Sequence, residues 1–321
     1  MKNVSLSYLF LHFFFCVGLS QVVEPIESHG IPLLKHFESA DYNGGIQNWS
    51  MDQDSLGILY VANNSGLLEF DGSQWKKHVV PFCTKVRAVM VDKENRIFVG
   101  GQGQIGYYSM SNIGLEFTSL LNLLPSNYQS VAEVWRILEH DGKIFINTES
   151  QLLMYDYNEI KVIQEPKYVR FAFTVEDRLF AQFYNMGLFE FIDNEFVSVK
   201  GTEFIPEVVS VLPKDDELFY FCSSGEIFRH YNNDLEELQF PIDFGSINHA
   251  VNLSSGDFAV ATQNKGLYLF DSEMRLKQNL TKNKGLTDRT VRIIYEDGFR
   301  NLWLGLNNGI DYLKLNLPLT L

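Results

Sequence analysis

Short blocks of apolar and aromatic residues alternate with polar turns along most of the chain. The blocks alternate polar and apolar positions or run as β-branched and aromatic stretches, which is typical of strands and not of helices. One aromatic position recurs at intervals of 35 to 47 residues, at Tyr60, Phe98, Phe145, Phe180, Phe219, Phe258 and Trp303. A period of this length indicates a repeat built from one strand-and-turn unit.

Each repeat carries the same flanks around its marker aromatic. A strand rich in valine and isoleucine comes first, followed by an acidic or glycine turn such as residues 92–95 before Phe98. A polar turn, most often with glycine, follows the marker, as in Asn264-Lys265-Gly266 after Phe258. Such turns permit the tight hairpins of a four-stranded blade. The sequence therefore predicts an all-β fold, a seven-bladed β-propeller with four-stranded blades, with one short turn of helix within residues 115–124.

The ring should be closed by a strand from the N-terminal side. Residues 31–37 look like a strand without a neighbour in sequence, and the seventh repeat ends soon after residue 315. A strand added there would complete the last blade and remove an exposed sheet edge. We expect the propeller to span residues 21–316, a linker to a downstream region to start at 317–321, and the blades to begin near residues 46, 84, 131, 167, 207, 246 and 289.

The first 20 residues have the pattern of a secretory signal peptide. Lys2 precedes an apolar run over residues 8–17, and the small residues Gly18 and Ser20 follow. The run is shorter than the roughly 20 residues of a membrane-spanning helix, so an uncleaved anchor is the weaker alternative. Lipidation of Cys16 is weaker still, because two phenylalanines precede it. We expect export to the periplasm.

The net charge of −14 narrows the range of partners. An acidic surface without basic clusters repels nucleic-acid phosphates and anionic lipids, so direct nucleic-acid or membrane-surface binding is not expected. Outside the signal peptide the chain holds two cysteines, Cys83 and Cys222. A disulfide between them is an open alternative in an oxidising compartment, and two unpaired thiols are the favoured interpretation.

The first and last repeats resemble a known family. The seventh copy contains Gly285-Leu286-Thr287-Asp288, Glu296-Asp297-Gly298, Asn301-Leu302-Trp303-Leu304-Gly305 and Asn308-Gly309-Ile310. These motifs, and those of residues 47–72, resemble the two-component regulator propeller repeat, the sensor element of bacterial hybrid two-component receptors and their triple-tyrosine relatives. The resemblance implies a sensor of an extracellular cue, such as a carbohydrate. It also implies downstream receptor domains in the same or a partner chain, and it leaves a homodimer open.

Two sets of residues are candidates for ligand binding. Arginine recurs nine to eleven residues before the marker in four repeats, on the strand that should line the central channel, and its planar fork suits carboxylate, sulfate or phosphate groups. The alternative is that each arginine pairs with the acidic turn of its own blade. Amide and tyrosine side chains of the turns after the markers, and of the loops entering the inner strands, could bind sugars; alternatively they are ordinary turn residues. The candidates are Arg87, Arg136, Arg170 and Arg292, and Asn64, Gln104, Tyr128, Tyr184, Asn185, Gln263, Asn307 and Asn308.

Catalytic, metal and cofactor motifs do not stand out from the sequence. Most carboxylates fall in hairpin turns, where they cap backbone N–H groups, and the histidines lack ligand spacing. Asp52 and Asp54 suggest a calcium loop, but Leu56 stands where a third oxygen ligand should be. We therefore predict a ligand-sensing module that is not an enzyme and needs no cofactor or metal. The alternatives are a glycan-active lyase or glycosidase and a protein-interaction scaffold.

Overall fold

The computed structural model describes residues 33–126, 128, 131–149, 151–163 and 168–315. The predicted signal peptide (1–20) and linker (317–321) lie outside this part of the chain. The strands are β1 Leu33–Phe37, β2 Asn48–Gln53, β3 Leu59–Asn63, β4 Gly66–Phe70, β5 Trp75–His78, β6 Val86–Val91, β7 Ile97–Gly101, β8 Gln104–Ser111, β9 Gly114–Ser119, β10 Val134–His140, β11 Lys143–Thr148, β12 Leu152–Tyr155, β13 Ile160–Ile163, β14 Val169–Val175, β15 Arg178–Phe183, β16 Gly187–Ile192, β17 Glu195–Ser198, β18 Val208–Lys214, β19 Glu217–Cys222, β20 Ile227–Tyr231, β21 Asp234–Glu237, β22 Ile247–Asn252, β23 Phe258–Thr262, β24 Leu267–Phe270, β25 Leu276–Leu280, β26 Val291–Glu296, β27 Leu302–Leu306 and β28 Ile310–Lys314.

These strands form seven antiparallel sheets of four strands each. Blade 1 is β2 to β5, blade 2 is β6 to β9, and the next four blades follow in the same order up to β25; blade 7 is β26, β27, β28 and β1. The first strand of each blade contacts the first strands of both neighbouring blades, which closes the ring around a central channel. The predicted seven-bladed propeller is confirmed.

Strand β1 closes the ring as the sequence predicts. It pairs with β28 from Leu33 opposite Lys314 to Phe37 opposite Ile310. Phe37 stacks on Trp303 with ring centroids 5.7 Å apart and meets the edge of Phe70 at 5.4 Å. Because Phe70 belongs to blade 1, this aromatic cluster joins the last blade to the first.

The marker aromatics explain why the repeat is visible in the sequence. All seven lie on the second strands of their blades and are at least 90% buried. In blades 5 and 6, for example, Phe221 and Phe258 meet with ring centroids 6.1 Å apart. Each sheet thus buries its second strand against a neighbouring blade, so the sequence at these positions is under the same packing demand in every copy.

Turn residues of the repeat have identifiable structural roles. Asp92 Oδ1 accepts hydrogen bonds from the backbone N–H groups of Glu94 and Arg96, each at 2.9 Å, which is the capping role predicted for the acidic turns. Gly266 has φ +75°, and a Cβ there would lie 2.0 Å from the carbonyl oxygen of Leu280. Only glycine fits this turn, because the backbone of the outer strand fills the space a side chain would need.

The remaining elements are few. A 3₁₀ turn at Leu121–Leu123 falls within the predicted range of 115–124, although residues 114–119 of that region form β9. A second 3₁₀ turn spans Lys282–Lys284. In the described part of the chain no helix has the length and apolarity needed to cross a bilayer. Cys83 and Cys222 are both free thiols, as favoured from the sequence.

Candidate functional site at the channel mouth

Every inner strand contains a β-bulge at its second residue. In all seven blades the register with the second strand shifts between the first and third residues of the inner strand. A bulge leaves one residue unpaired and changes the direction of its side chain. We call the seven bulged residues the bulge ring: Trp49, Arg87, Trp135, Arg170, Val209, Asn248 and Arg292. All of them except Arg170 line one cavity of about 390 Å³ in the central channel.

Two arginines of the bulge ring share one indole. The guanidinium carbons of Arg87 and Arg292 lie 3.9 and 4.4 Å from the ring centroid of Trp49. Arg87 also lies 4.8 Å from the ring of Trp135 and forms an ion pair with Glu133. These contacts bring side chains of blades 7, 1, 2 and 3 together at one end of the channel.

An amide network holds the shared indole in place. Trp49 Nε1 donates to Asn64 Oδ1 at 2.7 Å, and Asn64 Nδ2 donates to Gln47 Oε1 at 2.9 Å. Gln47 Nε2 and Arg292 Nη2 both donate to Asn307 Oδ1, each at 2.7 Å. Asn64 and Asn307 lie in turns after second strands, so the network places Trp49 and Arg292 next to these turns. We call this end of the channel the channel mouth.

Two donors at the channel mouth have no hydrogen-bond partner. Arg87 Nη1 and Arg292 Nε are buried N–H groups without an acceptor among the described residues. Burial, and then the positive charge of Arg87, lower the pKa of Arg292. An unsatisfied buried donor costs roughly 1 to 3 kcal/mol in stability.

Arg136 lies one residue beyond the bulge and belongs to a different layer of the channel. Its guanidinium donates to the carbonyl oxygens of Ala172 at 3.3 Å and Val209 at 2.7 Å, and lies 4.6 Å from the ring of Phe173. Burial lowers its pKa to about 10. The four predicted arginines therefore do not form one equivalent ring, because Trp135 occupies the bulge of β10.

His249 shares this layer with Arg136. It stands at the third position of its inner strand, as Arg136 does, and its Nδ1 accepts the backbone N–H of Ile294 at 3.4 Å. Burial, and then the charge of Arg136, lower the pKa of His249 to about 3. The imidazole is therefore neutral over the physiological range.

Arg170 is the fourth predicted arginine. Like Arg87 it forms an ion pair, but its side chain is more exposed than that of Arg87. Its Nε binds Glu207 Oε2 at 2.5 Å, and 42% of its side chain is exposed. Glu207, like the Glu133 that pairs with Arg87, immediately precedes the inner strand of the next blade. The alternative that the arginines pair with acidic turns of their own blades is therefore wrong for both ion pairs.

None of the eight turn candidates lines the cavity, as far as the described residues show, although Asn64 and Asn307 form hydrogen bonds with residues that do. Gln104 is 2% exposed, and its amide donates to the carbonyl of Pro81 at 3.0 Å and accepts from Ser119 Oγ at 2.8 Å. Its contacts hold a loop of blade 2. The remaining candidates lie in turns or interblade loops: Tyr128, Tyr184, Asn185, Gln263 and Asn308.

The sequence search missed Trp49, Trp135, Glu133, Glu207 and His249. A signal for the tryptophans was present. Trp49 precedes its marker Tyr60 by eleven residues and Trp135 precedes Phe145 by ten, which are the spacings of Arg292 and Arg170 from theirs. A search of these positions with no restriction to arginine would have included both tryptophans among the candidates.

The fold is shared with receptor domains and with enzymes. No protein-family model and no curated protein sequence matches the chain. Among solved structures it resembles the extracellular domain of the hybrid two-component system BT4673 from B. thetaiotaomicron, with a TM-score of 0.72 and 17% identity over 90% of this chain and 40% of that one. The corresponding domain of BT3049 gives 0.70 and 17% over 88% and 42%.

The fold is that of the receptor propellers. The likeness suggested by the sequence motifs is thus confirmed in the structure, and the chain spans about two fifths of those receptor domains. Virginiamycin B lyase from Staphylococcus aureus also matches, with a TM-score of 0.70 and 13% identity over 88% of this chain and 99% of the lyase. At these identities the likeness establishes the fold, and function must be argued from the cavity.

Proposed function

We propose that this propeller is the extracytoplasmic ligand-sensing module of a bacterial signal-transduction receptor, and that its ligand binds at the channel mouth. The observation that carries the proposal is the bulge ring, in which six blades each direct one side chain into the same cavity. A ligand there would contact most of the ring at once. The likeness to extracellular domains of two-component systems supports a sensing role and export from the cytoplasm.

The cavity has the chemistry of a carbohydrate site. Trp135 offers an indole, Asn248 an amide, and Arg87 and Arg292 planar donors. Flat apolar rings stack on sugar faces, and amides and guanidinium groups bind hydroxyl and acidic substituents. A small oligosaccharide is the ligand class that uses all three.

Signalling requires the ligand to favour one arrangement of the propeller over another. A ligand that bridges several blades meets this requirement, because its contacts depend on how the blades are spaced around the channel. Downstream receptor domains, in the same or a partner chain, would then read the spacing through their contacts with the propeller. A homodimer of such receptors would couple two propellers to one output.

The rival function is catalysis by a lyase or glycosidase, since a lyase shares the fold. Such an enzyme needs a general acid or base with a pKa near the working pH. His249, with its pKa lowered to about 3, is a poor base, and the carboxylate of Glu207 is engaged by Arg170. These contacts favour binding without turnover.

The test is a titration of the purified protein with a panel of oligosaccharides, with the products assayed for cleavage. We expect saturable binding without turnover, and at least about a fivefold loss of affinity in Trp135→Ala, because an aromatic stacking partner contributes on the order of 1 kcal/mol or more. The control is Tyr231→Ala, an exposed residue of β20 far from the cavity. Cleavage of a bound glycan, or binding lost in Tyr231→Ala and kept in Trp135→Ala, would reject the proposal.

A further inference from the structure

We infer that the ligand of the channel mouth carries an anionic group, a carboxylate or a sulfate, which Arg87 and Arg292 bind. The inference rests on the proposed function in that it takes the cavity to be the ligand site. It adds the chemical class of the group that the site selects.

Positive charge is concentrated at the channel. Arg87, Arg136, Arg170 and Arg292 converge on the channel in a chain whose net charge is −14. Among the described residues Arg87 and Arg170 have carboxylate partners, whereas Arg136 and Arg292 make no ion pair. The cavity is therefore a local excess of positive charge inside an acidic protein, which attracts and concentrates anions.

Arg87 and Arg292 lie close together on the shared indole. Two like charges on one indole repel each other, and among the described residues the amide oxygen of Asn307 is the one acceptor of Arg292. Asp288 lies close enough to act on Arg292 through its charge, but its Oδ1 accepts the backbone N–H of Thr290. An anion at the channel mouth would relieve the repulsion and supply the missing acceptor.

Two donors of these arginines are unpaired. Arg87 Nη1 and Arg292 Nε are buried and have no acceptor among the described residues. Native proteins pair nearly all buried donors, so two unpaired donors in one cluster favour a ligand that supplies acceptor atoms. A carboxylate or sulfate has the several acceptor oxygens that two guanidinium forks need, and a small rotation of each fork would present the unpaired N–H to it.

The experiment compares three probes by isothermal titration: digalacturonate, the matched neutral disaccharide of galactose, and sodium sulfate. We expect digalacturonate to bind at least tenfold more tightly than the neutral disaccharide, and sulfate to compete with it. Arg292→Gln should weaken digalacturonate by roughly 10- to 100-fold, the range of one charge-assisted hydrogen bond, and should weaken the neutral disaccharide by a smaller factor. The matched control is Arg229→Gln, whose side chain pairs with Glu217 and Glu236 on the outer part of blade 5.

A variant that is expected to bind the anion more tightly distinguishes an effect on the site from a folding defect. Glu133→Gln removes the carboxylate that engages Arg87, so digalacturonate and sulfate should both bind several-fold more tightly. A change in that direction cannot come from a damaged protein.

The remaining outcomes separate the two proposals. If both disaccharides bind equally and Trp135→Ala weakens both, the cavity is a ligand site and the anion inference is wrong. If digalacturonate binds without sensitivity to Arg87, Arg292 or Trp135, both proposals fail. Binding of sulfate alone, lost in Arg292→Gln, supports the anion site and contradicts a carbohydrate ligand. No binding of any probe, sulfate included, overturns the anion inference.

Discussion

The guanidinium of Arg136 reaches across the channel and donates to the carbonyl oxygen of Val209, 2.7 Å away and two blades farther around the ring. A second bond reaches Ala172 of the blade between them. One side chain thus ties blades 3, 4 and 5 together behind the channel mouth. Carbonyl dipoles stabilise its charge, and no carboxylate of the described residues forms an ion pair with it, so its field extends to neighbouring groups in the channel.

Replacing Arg136 should be visible at His249. Arg136→Met removes the charge that, after burial, lowers the pKa of His249. We expect that pKa to rise above its value of about 3 and to stay below 6.5, because burial remains. The measurement is an NMR titration of the imidazole. Arg170→Met is the control, since its charge is paired with Glu207, and an unchanged pKa in Arg136→Met would contradict the packing of these two side chains.

Asp52 should make stability depend on pH. Burial raises its pKa to about 6, although the N–H of Val91 donates to its carboxylate at 2.7 Å. Because the folded-state pKa lies above the unfolded value, the stability this group adds is present below about pH 4 and is lost as pH rises through 6. Asp52→Asn keeps an acceptor for Val91 and removes the buried charge.

We therefore expect Asp52→Asn to be more stable than the parent at pH 7.5, by about 1 to 2 kcal/mol, with no difference near pH 4. Thermal or urea unfolding at several pH values provides the measurement. Asp215→Asn, an exposed turn carboxylate, should show no such trend. A destabilised Asp52→Asn at pH 7.5 would mean that the hydrogen bond of the ionised carboxylate outweighs its desolvation.

Closure of the ring should depend on Phe37. Phe37→Ala removes a side chain that is 7% exposed and packed on Trp303 and Phe70, so we expect the free energy of unfolding to fall by about 3 kcal/mol. Leu33→Ala, at the other end of β1 and 47% exposed, should change it by less than about 1 kcal/mol. Denaturant unfolding measures both. Equal effects would show that β1 is held by backbone pairing without its aromatic anchor.

Two glycines of blade 6 allow a matched test of the repeat. Gly256 and Gly266 both have positive φ, yet a Cβ on Gly256 meets nothing within 4 Å, whereas on Gly266 it meets the carbonyl of Leu280. Gly256→Ala should cost about 1 to 2 kcal/mol for its conformation alone. Gly266→Ala should cost several kcal/mol or prevent folding, and equal losses in an unfolding experiment would contradict the close approach of β25.

The fold could be predicted because every blade buries its second strand in the same way. A buried aromatic such as Phe98 recurs on the second strand of every blade, and a turn glycine such as Gly266 recurs in most of them, so the copies reinforce one another. The N-terminal strand was predictable for a related reason, since a ring of open sheets leaves one edge that residues 33–37 can cover.

The site could be predicted only in part, because the side chains at the bulge positions differ from blade to blade although all blades share one strand topology. The bulge ring holds arginine, tryptophan, valine or asparagine at equivalent positions, and a one-residue offset moves Arg136 out of it. Counting back from the marker could not resolve that offset, since loop lengths between first and second strands differ among blades. The partner of each side chain, such as Glu133 for Arg87, depends on how neighbouring blades meet and has no local signature.

The antiparallel pairing of β1 with β28 also sets how the ring responds to mechanical load. Leu33 lies opposite Lys314, so a pull applied to the chain at these two residues acts on the same end of the strand pair. The inter-strand hydrogen bonds would then break one after another, as in unzipping, and would not share the force as in shear. The stack of Phe37 on Trp303 stands at the far end of the zipper and would separate last. Tension along the chain would therefore open the propeller at blade 7 while the other six blades stay folded.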